Sequence, residues 1–526
     1  MIEHGRDLSW VAFLAVIAAA GTWIATLHGP GLSPDSITYL SAARSLAAGH
    51  GYQDLTGTAN TTFGPGFPAL LAIGDVLGLA IATTARVVNA AAFGLVVFLS
   101  WICVRRHVRS RTVALVVAML VAISPTMLNV ADHAWSEPVF CVLLLSFVLV
   151  LESVLRTSRS RMRWCVLAGL IAGVGFLVRY AALSLVVTGV VVILLTARRT
   201  GWRKVVFQLG LFLGSALPLP LLWILRNADS GAQYLLGPRL ARPGNLTEVF
   251  PPFARSIVNI FDPVGANVLV VAAVFVSVLS MVGLAAWIQV RRRSVPVLRA
   301  LDGRPSVLPL ATFAVVYALF IMAAGKFSGA SIDARTVMPL YLPLIIMGGV
   351  LVGKGLEAHV PTDTARRASS LDLLSKVSWV ATVALAALLM ISFVQMASVK
   401  GSTTTVYASR SYTKSRLVSA VRGLRPGVVL TTNHPWRLYY ATGREPILPS
   451  PGPLQPAASL VPITVDQLGD RSCSQPTYYV WYRSSGDSPT NPPSFTRDVR
   501  LVALDSYEDG VLYAVHATDG ECSEHS

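Results

Sequence analysis

The chain has 526 residues, 53% of them hydrophobic and only 13% charged, with a mean hydropathy of +0.59 and a formal net charge of +16. A soluble domain carries about 25% charged residues, so lipid is the solvent for most of this chain. The basic balance would suggest nucleic acid in a soluble protein, but the cations lie between apolar runs, where they read as cytoplasmic anchors of a multi-pass membrane protein.

A bilayer core of about 30 Å needs roughly 20 residues of helix. Runs of that kind predict helices at 8–27, 82–104, 112–129, 137–155, 164–178, 181–197, 205–225, 264–290, 308–325, 336–353 and 378–398, eleven in all. The runs are continuous and lack the alternation of barrel strands. With the N-terminus inside, the groups Arg105, Arg106, Arg109 and Arg111, then Arg156, Arg159, Arg161 and Arg163, then Arg198, Arg199, Arg203 and Lys204, then Arg291, Arg292, Arg293, Arg299 and Arg304 all fall on the cytoplasmic side, as does 354–376. The near-continuous run at 164–197 is broken only by Arg179 and Tyr180, which must form an outside turn for this parity to hold. The apolar stretch beginning at Leu8 is long enough to span and its flank is hardly basic, so it reads as a retained first helix rather than a signal peptide.

The first outside loop, 28–81, has helical spacing at Ile37, Leu40, Ala43 and Leu46, and a second short helix is expected over 67–79 after Pro65 and Gly66. Both read as helices lying in the interface. The outside loop 227–263 is rich in Pro, Gly and Asn. From 399 the composition turns polar, with strand-like runs at 428–432, 477–482, 499–503 and 511–515 and a helical signal at 415–423, which predicts a small α/β domain outside the cytoplasm. The assigned organisation is therefore a transmembrane unit, 1–398, followed by an extracytoplasmic domain, 399–526. Cys103, Cys141 and Cys165 fall in apolar runs, whereas Cys473 and Cys522 lie in the tail, where an oxidising compartment permits a disulfide.

Chemistry-bearing residues collect at the outside ends of the predicted helices. Asp35 is either a general base at the lip of the membrane or, with Ser33, a helix N-cap. Asp132, His133 and Glu137 share the short second outside loop. They could bind Mg²⁺ or Mn²⁺, or Glu137 with Pro138 could simply open the next helix. Arg179, Arg226, Lys326 and Arg335 are cations where the positive-inside rule requires none; they read as captors of a lipid-linked phosphate or as snorkelling side chains. His434, Trp436, Tyr439 and Tyr440 could meet a glycan or form the core of the tail domain. No P-loop, dinucleotide fingerprint or zinc spacing is present.

Several segments together resemble the membrane-embedded GT-C glycosyltransferases, in particular the branch of bacterial protein mannosyltransferases, aminoarabinose transferases and rhizobial core transferases. They are Asp35–Tyr52 followed by Phe63–Ala72, Ser136–Phe140, Gly169–Tyr180, Leu217–Asn227, Asp333–Pro339 and Val429–Arg444. The resemblance implies an α-helical GT-C membrane protein. It would transfer a sugar from a polyprenyl-phosphate donor to a cell-envelope glycan or lipid on the outer face of a bacterial cytoplasmic membrane. It implies Asp35 as catalytic base of inverting transfer and Asp132 or Glu137 as the second-loop acid, assisting the base or a divalent metal. Arg179, Arg226, Lys326 and Arg335 would bind donor phosphate, and Tyr39, His133 and Tyr180 would contact substrate. Protein mannosyltransferases carry adjacent acids in the first loop. Here Ser36 follows Asp35, which favours a glycan or lipid acceptor over protein. The competing expectations are a transporter or flippase of lipid-linked glycans, which needs ionisable residues mid-span, a polymerase of another membrane fold, and a non-catalytic assembly protein.

Overall fold

A computed structural model of the chain describes residues 2–261, 307–328, 331–357, 386–400, 414–450, 462–464, 472–483 and 499–517, apart from breaks at 56, 157–159, 196–200, 231–235, 237–245 and 388. In chain order the helices are α1 (Ile2–Ala25), α2 (Pro34–Ala47), α3 (Gly66–Val76), α4 (Ile81–Arg105), α5 (Arg111–Ala122), α6 (Pro125–Ala131), α7 (Glu137–Arg156), α8 (Arg161–Val178), α9 (Leu183–Leu195), α10 (Trp202–Ala216), α11 (Pro218–Asp229), α12 (Leu246–Asn259), α13 (Leu308–Ser328), α14 (Ala334–Val337) and α15 (Tyr341–Glu357). The helix Leu389–Lys400 follows as α16.

Six described helices are long and apolar enough to cross a bilayer, and two bent pairs raise this to eight. The expected single helix at 112–129 is the pair α5 and α6, bent by 49°, and the one at 205–225 is α10 and α11, bent by 42°. The cause is the same in both: Pro125 and Pro218 cannot donate the next backbone bond, and each restarts a helix at its first turn. The run 164–197 breaks where expected, because Arg179 is extended (φ −150°, ψ 131°) between α8 and a short 3₁₀ turn leading into α9. The span expected at 264–290 lies outside the described residues, as does the first part of 378–398.

One end of the helical body is basic. There Arg105, Arg156 and Lys354 close α4, α7 and α15. Arg111 pairs with Asp7 at 3.4 Å, and the buried Glu152 holds His107 at 2.8 Å and Arg156 at 3.3 Å. The short helices α2 and α3 lie at the opposite end.

Between apolar helices in lipid, close backbone approach replaces the hydrophobic effect as the source of specificity. Gly169 and Gly173 provide it on α8: a Cβ at Gly169 would sit 2.3 Å from the carbonyl oxygen of Phe212, and one at Gly173 would sit 2.7 Å from that of Ala216, both on α10. Backbone cannot yield as a side-chain tip can. Gly169→Ala is therefore expected to cost about 1–3 kcal/mol as overpacking, read as a lower unfolding midpoint in detergent.

The C-terminal part contains α17 (Arg416–Gly423), β1 (Val429–Thr432), α18 (Pro435–Thr442), β2 (Leu448–Ser450), β3 (Pro462–Thr464), β4 (Thr477–Tyr482), β5 (Val499–Tyr507) and β6 (Gly510–Ala517). Its main sheet has the order β1-β4-β6-β5, with β1 parallel to β4 and the other pairs antiparallel. β1 is buried along its whole length, which fits a strand covered on both faces. Cys473 is disulfide-bonded, while Cys103, Cys141 and Cys165 are free and buried. The aromatics of α18 do not join the core of the tail domain as expected: Trp436 is buried in one apolar cluster with Leu32, Ile37, Tyr39 and Leu40, and Tyr439 and Tyr440 pack beside it. Those aromatics join the tail domain to the first loop. His434 sits edge-on to Tyr482, 6.2 Å between ring centres, inside the tail domain.

Candidate active site

Asp35 occupies the first turn of α2 but does not cap it. Ser33 is the N-cap, its Oγ accepting from the Ser36 backbone N–H at 3.3 Å, and Pro34 fills the first helical position. The carboxylate of Asp35 is thus left for other work, at a helix end whose dipole favours negative charge. It is 35% exposed and accepts from Nη1 of Arg335 at 2.7 Å.

Arg335 comes from α14, four residues whose start is fixed by a capping box: Asp333 Oδ1 accepts from Thr336 N at 2.8 Å, and Thr336 Oγ1 accepts from Asp333 N at 3.0 Å. Its Nε donates to Glu137, the first residue of α7, which is fully buried. Oε1 of Glu137 also meets Nη1 of Arg179 at 2.5 Å. Residues from four separated segments, 35, 137, 179 and 335, therefore form one cluster of two carboxylates and two guanidiniums. The two cations are only 15% and 18% exposed, so water screens the cluster weakly. Among the described residues, Glu137 Oε2 and Arg179 Nε are buried with no hydrogen-bond partner. Such groups are rare in proteins and call for a reason.

The other expected site residues divide between a second group and the scaffold. Asp132 and His133 form an ion-pair group beside the first: His133 Nδ1 meets Asp132 Oδ1 and the carbonyl of Asn129 (2.9 Å), and Lys400 pairs with Asp132. Tyr39 is buried under the cluster, its hydroxyl 3.3 Å from Ser136 Oγ. Burial, and then the charge of Asp35, hold that hydroxyl well above the usual tyrosine range, so it stays protonated. Tyr180 donates to the carbonyl of Thr61 at 2.8 Å, and Arg226 donates to those of Tyr52 (2.9 Å) and Asn60 (3.0 Å). Both pin the first loop from below, positions that support the site rather than line it. Lys326, at the end of α13, reaches the ring of Phe327 at 5.1 Å rather than the cluster.

Asp132 and Glu137, the expected metal ligands, do not fit a divalent cation. Each already faces fixed positive charge, Lys400 for one and Arg179 with Arg335 for the other. No group of three His, Cys, Asp or Glu side chains with ligand geometry exists among the described residues. Two residues of the neighbourhood escape the sequence reading. In the predicted topology Lys400 is an outside cation of the same kind as Lys326, so the same rule could have found it. Trp135 gives no such signal, since an aromatic next to a helix start is common.

A family model described as dolichyl-phosphate-mannose-protein mannosyltransferase matches residues 63–224. No curated protein matches the chain in sequence. Among solved structures, ArnT from Cupriavidus metallidurans bound to undecaprenyl phosphate is similar with a TM-score of 0.62 at 15% identity, over 96% of this chain and 98% of that one. Its apo form matches equally, with the same TM-score. The arabinofuranosyltransferase AftD from Mycobacteria has a TM-score of 0.53 at 16% identity, over 97% of this chain but only 42% of that one. At such low identity these likenesses speak to the fold, and the ArnT match extends over nearly the whole of both chains. This multi-pass membrane chain has the fold of the GT-C superfamily.

Proposed function

We propose that the protein transfers a sugar from a polyprenyl-phosphate donor to a glycan or lipid acceptor of the cell envelope, on the outer face of a bacterial cytoplasmic membrane, with the C-terminal domain extracytoplasmic. The observation that carries this reading is the Asp35–Arg335–Glu137–Arg179 cluster: a half-buried carboxylate on one guanidinium, beside a second, Arg179, whose buried Nε has no hydrogen-bond partner. The undecaprenyl phosphate named for the ArnT structure supports a lipid phosphate as the group those guanidiniums take.

The charges follow a simple sequence. Arg335 is shared by two carboxylates, and of these only Asp35 has solvent access. A donor phosphodiester, carrying one negative charge, competes with Asp35 for Arg335 and completes the bonding of Arg179. Asp35, released, faces the acceptor. The acceptor oxygen attacks the anomeric carbon from the side opposite the phosphate, and its proton passes to Asp35. The bond from the anomeric carbon to the phosphate oxygen breaks, and its electron pair leaves as a second charge on polyprenyl phosphate. Attack from the opposite side inverts the anomeric centre. Fixed guanidiniums in a water-poor site stabilise that developing charge well. Glu137, out of reach of substrate, holds both cations in place. No metal enters these steps. Ser36 after Asp35 favours a glycan or lipid acceptor over protein, and the clustering of charge at helix ends rather than mid-span disfavours a transporter.

Transfer from radiolabelled mannosyl, arabinofuranosyl and aminoarabinosyl polyprenyl phosphates into envelope material, with membranes carrying the wild type, tests the reading and names the sugar. A second test separates the cations. Arg335→Gln is expected to weaken undecaprenyl phosphate binding by about tenfold or more. Arg226→Gln, whose donors serve loop carbonyls, is expected to change it by less than about threefold while lowering the unfolding midpoint. Equal losses from both would remove Arg335 from the phosphate site.

A further inference from the structure

Trp135 is uncharged, yet it touches both Arg335 and the cap of the helix that carries Asp35. Its indole N–H donates to Ser33 Oγ at 2.8 Å, and Ser33 is the N-cap of the helix that carries Asp35. The guanidinium of Arg335 lies over its ring, 3.9 Å from the centre. The next turn of chain brings Glu137. One side chain therefore fixes both the start of the Asp35 helix and the cation that Asp35 pairs with.

Trp135 is itself held from behind. His133 stacks on it with ring centres 4.0 Å apart and 14° between planes. His133 cannot retreat, because it packs against Gly31, where a Cβ would come within 2.6 Å of the imidazole. Asn89 Nδ2 donates to the carbonyls of His133 (2.6 Å) and Trp135 (3.1 Å). Asp132 holds the imidazole, Lys400 holds Asp132, and Lys400 Nζ also donates to Asn129 Oδ1 at 2.7 Å. Lys400 is the last residue of α16, the helix that leads into the C-terminal domain.

We propose that Trp135 is the positioning residue that sets Asp35 against Arg335, and that the Lys400–Asp132–His133 chain ties this setting to the point where the C-terminal domain is attached. The functional meaning rests on the sugar-transfer reading, but the coupling does not. If Trp135 sets the pair, Asp35 competes with phosphate for Arg335 only while Trp135 and its support are intact. Removing the competing carboxylate should then help phosphate in one background and not in the other.

The test uses the full chain in detergent with undecaprenyl phosphate as probe. In the wild-type background, Asp35→Asn is expected to tighten binding by about fivefold. In Trp135→Leu and Lys400→Gln backgrounds that gain is expected to shrink to less than about twofold. Trp135→Phe keeps the aromatic face over Arg335 and should keep part of the gain, which guards against a leucine variant that fails to fold. A merely structural tryptophan would lower the unfolding midpoint and leave the gain of the folded molecules untouched. An undiminished gain in Trp135→Leu, Trp135→Phe and Lys400→Gln alike overturns the proposal, and so does the absence of any gain when the wild-type background binds the probe. The same cycle between Asp35→Asn and Arg335→Gln, read in unfolding midpoints with and without Trp135→Leu, needs no ligand. A protein that binds no polyprenyl phosphate would thus refute the proposed function while this coupling is still measured.

Discussion

Asp35→Asn is expected to lower sugar transfer by about 10²–10⁴-fold, the usual contribution of a positioned general base, while binding of undecaprenyl phosphate is kept or improved. The two halves of this expectation have one cause. Asn is close in shape to Asp and Ser33 caps α2 independently, so the helix stays in place. The amide cannot accept the acceptor's proton as it attacks, so the chemical step suffers. The amide also cannot hold Arg335 as a carboxylate does, so the cation is freer for phosphate. Loss of transfer together with loss of binding would instead indicate that Asp35 organises the pocket. Loss of neither would remove it from the site.

Glu137→Gln is expected to act through stability. The wild-type carboxylate is fully buried and bridges Arg179 and Arg335. An amide at this position strands the charge of Arg179 and leaves Arg335 only Asp35 as its counter-charge. Removing one partner from a buried ion pair costs about 3–5 kcal/mol, which should appear as a marked fall in unfolding midpoint and in the yield of folded protein. Adding Arg179→Gln to Glu137→Gln should recover part of the loss, because the stranded charge of Arg179 goes with it. Recovery is the informative result, since a residue needed only for packing would show additive losses. A donor phosphate, bringing its own negative charge, should also stabilise Glu137→Gln more than it stabilises the wild type.

The elements most visible in the sequence are those whose signal is local. Apolar length places α1, α4, α7, α8 and α13, and β-type runs place β1, β4, β5 and β6. Arg179 is legible as a break because it interrupts a run of otherwise apolar residues. The bends at Pro125 and Pro218 are less so, since mean hydropathy continues smoothly through a proline in lipid and only the lost backbone donor betrays it. The helix α18 escapes because its eight residues begin with Pro435 and their apolar face is spent on another unit, the cluster around Leu32 and Tyr39.

For the site, position relative to the membrane singled out Asp35, Glu137, Arg179 and Arg335, and the structure brings these four together. The same rule also selected Arg226 and Lys326, because a cation at a helix end looks alike whether it faces a phosphate, a loop carbonyl or the ring of Phe327. Only tertiary contact distinguishes those cases. Asp35 as base or cap was undecidable locally, since Ser33 and Asp35 both suit the cap, and a single hydrogen bond from Ser36 N decides for Ser33. Trp135 and Lys400 matter through what they touch, 200 and 268 positions away in sequence for Arg335 and Asp132, and no local pattern encodes that.

The most direct test of the account compares transfer from the active polyprenyl-phosphate sugar by membranes carrying equal amounts of wild type, Asp35→Asn and Asp35→Glu. The account predicts transfer by the wild type, a residue of activity in Asp35→Glu because a carboxylate remains, and a loss of at least about a hundredfold in Asp35→Asn. Equal transfer by the wild type and Asp35→Asn would contradict it.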